Sequence, residues 1–176
     1  MYKRIMIRVG TIKYKQGGQI IPNYPGFTNV LVLTKSSAYG SLGPYVIKHN
    51  NMIFENFWQF GKLYEKVPKS KQTYSRFDNT VVWDWPEETH IIEGEITEEY
   101  WNWRETGMNC PYAIRYPVGK KHRSKCICYL TDEGEQLNYV QSRCLVYCKY
   151  YMAAVKEQPQ FHKLKTRLEK ERIYLL

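Results

Sequence analysis

An α+β fold is what this chain predicts, on three observations. Its first third alternates in steps of two, later segments carry helical spacing, and the two kinds follow one another without a strict strand–helix–strand rhythm. A length of 176 residues fits a single compact domain over 1–176, with a mixed or antiparallel sheet and three to four helices. Residues 158–176 read as a C-terminal helical appendage of that domain.

Residues 3–9 (KRIMIRV) alternate basic and apolar side chains and predict a strand. Residues 11–15 continue the pattern, Gly17 and Gly18 signal a turn, and 29–33 (NVLVL) predict a short buried strand. Small residues over 36–44 predict a flexible loop, followed by a strand at 45–48 that enters a turn at Asn50 and Asn51. From Phe54 to about Lys66 a helix is expected. Phe54, Phe57, Trp58, Gly61 and Tyr64 fall on one side, and Glu55, Gln59 and Lys62 on the adjacent stripe. A polar linker at 68–74 leads to a strand at 80–85. Thr97 is placed to cap a helix with Glu98 and Glu99 in its first turn and Gly107 as its stop. Residues 112–116 and 125–130 predict a strand pair flanking a basic loop at 119–125. Thr131 is expected to cap a long helix whose apolar stripe runs through Leu137, Val140, Cys144, Leu145, Cys148, Tyr151, Met152 and Val155. Pro159 opens a last, charged helix, and 173–176 close the sequence on apolar residues.

Composition narrows the function classes. Sixteen Tyr, six Phe and five Trp must find places in a core, a pocket or an interface. The longest apolar run is about five residues, against roughly 20 for a membrane-spanning helix, so no membrane partner is expected. The start lacks the apolar block and cleavage site of a signal peptide, which predicts an intracellular, cytoplasmic protein. Net charge is +9, distributed as +9 over 1–80, −7 over 81–109 and +7 over 110–176. Such a balance admits a nucleotide or nucleic-acid partner. Five cysteines, an odd number without a secretory signal, argue against a disulfide framework. Cys126 and Cys128 on one strand face, with Cys144 and Cys148 on one helix face, would hold zinc if those faces met. The simpler expectation is four reduced core residues, with no metal and no cofactor.

The segment 42–62 (LGPYVIKHNNMIFENFWQFGK) reads loop, strand, turn, helix. Glu55, Gln59 and Lys62 at i, i+4 and i+7 would set a carboxylate, an amide and an ammonium in fixed relation. A carboxylate so held can stabilise an oxocarbenium-like ribosyl centre or position water, while a cation binds phosphate or hydroxyl. The alternative is a solvated helix face. This segment resembles the NADAR family, in which a leucine-small-aromatic loop leads through a short strand and turn into a glutamate-bearing helix with Gln and Lys a turn apart. The resemblance implies N-glycosidase activity on ADP-ribosylated bases or ribosylated intermediates. Glu55 and Lys62 would be the catalytic pair, with Gln59 lining the same pocket and Tyr45 near its entrance. The phrases ENFWQF, YWNWR and RYPVG are also similar to proteins of phages and large DNA viruses, which suggests a viral origin.

Further binding candidates are Trp83 and Asp84 at the end of a strand, and Trp101 and Arg104 about a turn apart for stacking on a base. Lys120, Lys121 and Arg123 in the basic loop offer contacts to a pyrophosphate or a nucleic-acid backbone. Two functions are therefore expected in competition. One is a metal-independent N-glycosidase acting on an ADP-ribosyl or ribosyl conjugate. The other is a non-enzymatic nucleic-acid or nucleotide-binding protein, a viral factor for example.

Overall fold

The structure, a computed structural model, describes residues 7–15, 18–33, 36–75 and 80–176, so the expected alternation at 3–6 and the Gly17 half of the first turn lie outside the described residues. Helices and strands are both present in quantity, and the strands pair in parallel as well as antiparallel fashion, which makes the fold α+β. Contacts divide the chain into two units, one of residues 1–43 and 155–176, the other of residues 44–154. Among the described residues no helix is long and apolar enough to cross a membrane.

In the first unit the apolar end of the sequence supplies the middle strand of a parallel sheet. Ile173–Leu175 lies between Ile7–Val9 and Thr28–Val30, with Ile7 and Thr28 both opposite Ile173. Parallel neighbours need long connections, which is why a strand from the far end of the sequence can join two from its start. The Pro159–Leu168 helix begins with proline at its first turn, as expected. It lays Leu164, Phe161 and Leu168 against Val30, Tyr39, Leu42 and Ile173. A short antiparallel hairpin, Lys13–Lys15 with Gly18–Ile20, completes the described strands of this unit.

The second unit is organised around the Phe54–Phe60 helix. It is entered through a hairpin, Lys48–His49 with Met52–Ile53, whose two turn residues Asn50 and Asn51 both have positive φ (48° and 66°), the geometry of a tight two-residue turn. The helix stops at Phe60. Gly61 turns the chain, and Lys62–Leu63 is already a strand paired with Cys128–Leu130, so the helix expected to reach Lys66 is shorter by more than a turn. Pairing with Cys128–Leu130 supplies backbone partners that a further helical turn would not. Gln136–Leu137 adds the third strand.

Three other expectations are corrected. Gly107 lies inside the Glu98–Met108 helix and does not stop it; a Cβ there would run into the Phe60 ring, so the glycine permits the two helices to approach closely. Thr97 does cap this helix, accepting from the Tyr100 backbone N–H. Residues 112–116 do not pair with 125–130. Ile114 instead bridges Val81 in parallel, and the basic segment between them forms turns. Thr131 heads a turn closed onto Glu135, and the long helix begins only after Asn138, whose side chain forms a reciprocal capping box with Gln141.

That last helix runs over 139–156 with a π-helical stretch, Arg143–Cys148, in its middle. A π turn closes on i+5, so the inward face advances in steps of four: Ser142 and Val146 are buried, and Arg143 and Tyr147 half-buried. Cys144, Leu145 and Cys148, like Val140 ahead of the π stretch and Met152 beyond it, lie on the outward, exposed side, which overturns their placement in the core.

Two outcomes follow from this packing. Gly107→Ala has an ordinary helical backbone but no room, and loses about 1–3 kcal/mol in urea unfolding from overpacking against Phe60. His90 is completely buried, and desolvation lowers its pKa to about 4. The unfolded chain therefore takes up the proton first as pH falls. Stability is fully present above pH 6.5 and declines by up to about 3 kcal/mol towards pH 4, a slope that His90→Phe should flatten in denaturation series at stepped pH.

Candidate functional site

Glu55 is the second residue of a helix that the preceding loop holds by its end. The Phe54 N–H donates to the Ile47 carbonyl at 2.9 Å and the Glu55 N–H to the Pro44 carbonyl at 2.9 Å. One residue on, Asn56 is fully buried; its amide donates to the carbonyls of Cys110 and Tyr112, at 3.3 and 2.9 Å, and its oxygen accepts the Ile114 N–H at 2.8 Å. With Phe54 and Phe57 also buried, the helix has no freedom to rotate, and Glu55 is carried inward until only 8% of it remains exposed.

The expected trio comes together. Gln59 Nε2 donates to Glu55 Oε1 at 2.6 Å, and Lys62 Nζ donates to Gln59 Oε1 at 2.9 Å. An ammonium can only donate, so Lys62 fixes which end of the Gln59 amide is oxygen and turns its NH2 towards the carboxylate. Burial raises the Glu55 pKa, opposed by the Gln59 hydrogen bond and by the charges of Lys62, Arg115 and Arg143. Burial likewise lowers the pKa of Lys62, and Glu55 opposes that shift. The trio thus borders a pocket at a polar end of the helix rather than a solvated face, and it does so from two elements: Glu55 and Gln59 on the helix, Lys62 on the strand that follows.

The pocket has a volume of about 640 Å3. Its apolar wall is Trp58 stacked on Tyr129, ring centres 5.1 Å apart at 18°, with Tyr147 edge-on to Trp58 at 5.1 Å. Gly61 makes the stack possible, since a Cβ there would meet the Tyr129 ring. Lys62 Nζ sits 4.9 Å above Trp58, and the Arg143 guanidinium 3.7 Å above Tyr147. Arg123 and Tyr116 complete the rim, and neither Arg123 nor Arg143 has a carboxylate partner among the described residues. Cys126 lines the same space, but burial pushes its thiol up to about 11, leaving it protonated and a poor nucleophile at neutral pH.

The remaining candidates are dispersed. Tyr45 is not part of the wall; its ring stands 5.7 Å from the Arg115 guanidinium. Trp83 is buried against Phe60 and stacked on Trp85, while Asp84 is exposed. Arg104 is buried and spends its donors on the Leu130 carbonyl at 2.7 Å, Asp132 at 2.6 Å and the Tyr100 hydroxyl at 3.1 Å, a bracing role between the Glu98–Met108 helix and the sheet. Trp101 is half-exposed beside it, 5.8 Å from the guanidinium. Lys120 and Lys121 are exposed and do not border the pocket. Sequence reasoning missed Arg143 and Tyr147, because a 3.6-residue period places them beside rather than on the inward stripe. A second hollow of similar size, lined by Asp132, Glu133 and Glu135 with His49, Lys149 and Tyr150, is acidic and suits an anion poorly.

No known protein family, curated protein or solved structure matches the chain.

A raised carboxylate pKa means that the folded protein holds the neutral form better than the unfolded chain does. Stability from this group is therefore greatest below the ordinary carboxylate pKa and is lost as pH rises through and beyond it. Glu55→Gln is expected to unfold at a higher temperature than wild type at pH 7, with the gap closing at about pH 4.

Proposed function

We propose that the chain is an N-glycosidase-type hydrolase acting on an ADP-ribosylated or ribosylated base or nucleotide, with Glu55 as its reacting carboxylate. The observation that carries this reading is a carboxylate almost out of water, oriented by Gln59 and Lys62, at the edge of a cavity walled by rings and rimmed by two arginines that have no carboxylate partner among the described residues. Ligand pockets of roughly 300–1,000 Å3 accommodate molecules of nucleotide size, and 640 Å3 falls in that range. The Trp58–Tyr129 wall offers a face to a base or to the apolar side of a ribose.

In the reaction the bond between C1′ of the ribose and the base nitrogen breaks, and positive charge develops at C1′. Glu55, ionised, stabilises that charge and accepts a proton from an attacking water. The water oxygen bonds to C1′, and the departing nitrogen takes up the proton that Glu55 releases, directly or through solvent, so that the carboxylate is restored and water is divided between the two products. Burial matters here because a carboxylate stripped of water interacts more strongly with a developing cation, and because a raised pKa suits proton transfer near neutrality. Lys62 acts through Gln59, which makes it a positioning residue in this scheme.

Glu55→Gln should keep the fold and lower kcat for release of ADP-ribose from a modified base by about 100-fold to 10,000-fold. Lys62→Met should lower kcat more than it raises KM. Release followed by chromatography checks both, and full turnover by Glu55→Gln refutes the assignment. Binding of ADP-ribose by wild type with no release from any ribosylated base or nucleotide would favour the non-enzymatic nucleotide-binding reading, for which the rim arginines, set against rings, would supply the anion contacts.

A further inference from the structure

The net positive charge of the chain falls in one of its two units. Residues 44–154 contain fourteen Lys and Arg against fourteen Asp and Glu, a balance of zero. Residues 1–43 and 155–176 contain twelve against three, the whole of the +9. Within 1–43 there are six cations and no acidic residue at all. Self-repulsion in so small a unit is a standing cost to its stability, and a polyanion relieves it.

The described part of 1–43 presents those cations in an orderly way. Lys13 and Lys15 are exposed at alternate positions of a hairpin strand, so both side chains leave the same face, roughly 7 Å apart along it. That is comparable to the through-space distance between neighbouring phosphates of a single strand, so each lysine can meet one phosphate. The Arg8 guanidinium is stacked 4.0 Å over one face of the Tyr24 ring, itself 37% exposed, so that cation and ring form a single planar stack on which a base could lie. None of Arg8, Lys13 and Lys15 has a carboxylate partner among the described residues. An anionic bilayer is the less suitable polyanion. The Pro159–Leu168 helix of this unit spends Leu164 and Phe161 on the core and so offers no free apolar helix face for insertion.

We propose that the unit of residues 1–43 and 155–176 binds the phosphate backbone of a single-stranded nucleic acid without regard to sequence, with Lys13 and Lys15 on phosphates and the Arg8–Tyr24 pair against a base. The proposal is independent of the glycosidase reading.

Fluorescence anisotropy of the full chain with labelled 20-nucleotide single-stranded DNA and RNA, over about 50 to 300 mM salt, tests it. Binding should weaken steeply with salt. Lys13→Ala/Lys15→Ala should lower affinity about tenfold or more and make the slope of log K against log salt shallower by about 1.4, the value for two lost phosphate contacts. Lys120→Ala/Lys121→Ala, in the neutral unit, should leave affinity and slope as in wild type. Lys13→Arg/Lys15→Arg should restore binding, and an unchanged thermal transition shows that the alanine pair folds. Glu55→Gln should bind the oligonucleotides normally, which keeps this proposal separable from the catalytic one. No binding to either oligonucleotide, equal losses from the two lysine pairs, or binding only to phosphatidylserine vesicles would each overturn it.

Discussion

The side chain of Asn56 is the constraint on which the second unit depends. A helix of seven residues is too short to persist by its own hydrogen bonds, and Phe54–Phe60 is held instead from outside. Asn56 uses both amide protons and its oxygen on the backbone of the segment 110–114, while the loop before the helix accepts its first two free N–H groups. A fully buried amide left without partners would be costly, so this arrangement admits essentially one orientation of the helix. Everything placed around the helix inherits that orientation. Phe60 fits the gap that Gly107 leaves, Trp58 meets Tyr129 across Gly61, and Glu55 is turned into the interior, where a free helix would have left it in water.

Two buried charged groups in this unit show opposite solutions to the same problem. Arg104 is surrounded by acceptors, a carbonyl, a hydroxyl and the Asp132 carboxylate, so that burial is offset by bonds and its pKa is raised rather than lowered. Glu55 accepts a hydrogen bond from Gln59, yet burial dominates and its pKa moves in the direction of the neutral form. A site that keeps a carboxylate incompletely compensated pays in stability for a group able to respond to charge developing beside it. The rim follows the same logic. Arg123 and Arg143 lie over or near rings rather than against acids, so their positive charge remains available to a ligand.

The π-helical stretch is where local and tertiary demands meet. Changing the turn from i+4 to i+5 over Arg143–Cys148 is unfavourable for an isolated helix. In exchange, Ser142, Val146, Arg143 and Tyr147 all face inward, which brings a guanidinium and a phenol to the pocket edge and two cysteines to the solvent. The charge division has a comparable character. Eight acidic residues cluster at 84–105, and with six others of the same unit they balance its fourteen cations and leave the other unit unmatched.

Local rules explain what could be read directly from the residues. Asn50-Asn51 closes a tight turn because both residues tolerate positive φ, Thr97 caps a helix with its hydroxyl, Pro159 starts one because it lacks the N–H that would go unused, and the spacing of Glu55 and Gln59 is one helical turn. Each depends on neighbours within a few positions. What the sequence alone left undecided depends on partners far along the chain. The helix ends at Phe60 because Lys62–Leu63 finds Cys128–Leu130, and Gly107 continues a helix because Phe60 needs its space. Cys144 and Cys148 lie outside the core because the helix, started after Asn138 and continued through the π stretch, sets Ser142 and Val146 inward, and the apolar 173–175 becomes a central strand because 7–9 and 28–30 lie on either side of it. Periodicity reports which face of an element is apolar, whereas the end of an element, its phase and the burial of a charge are set by packing energies that exist only once distant segments have met.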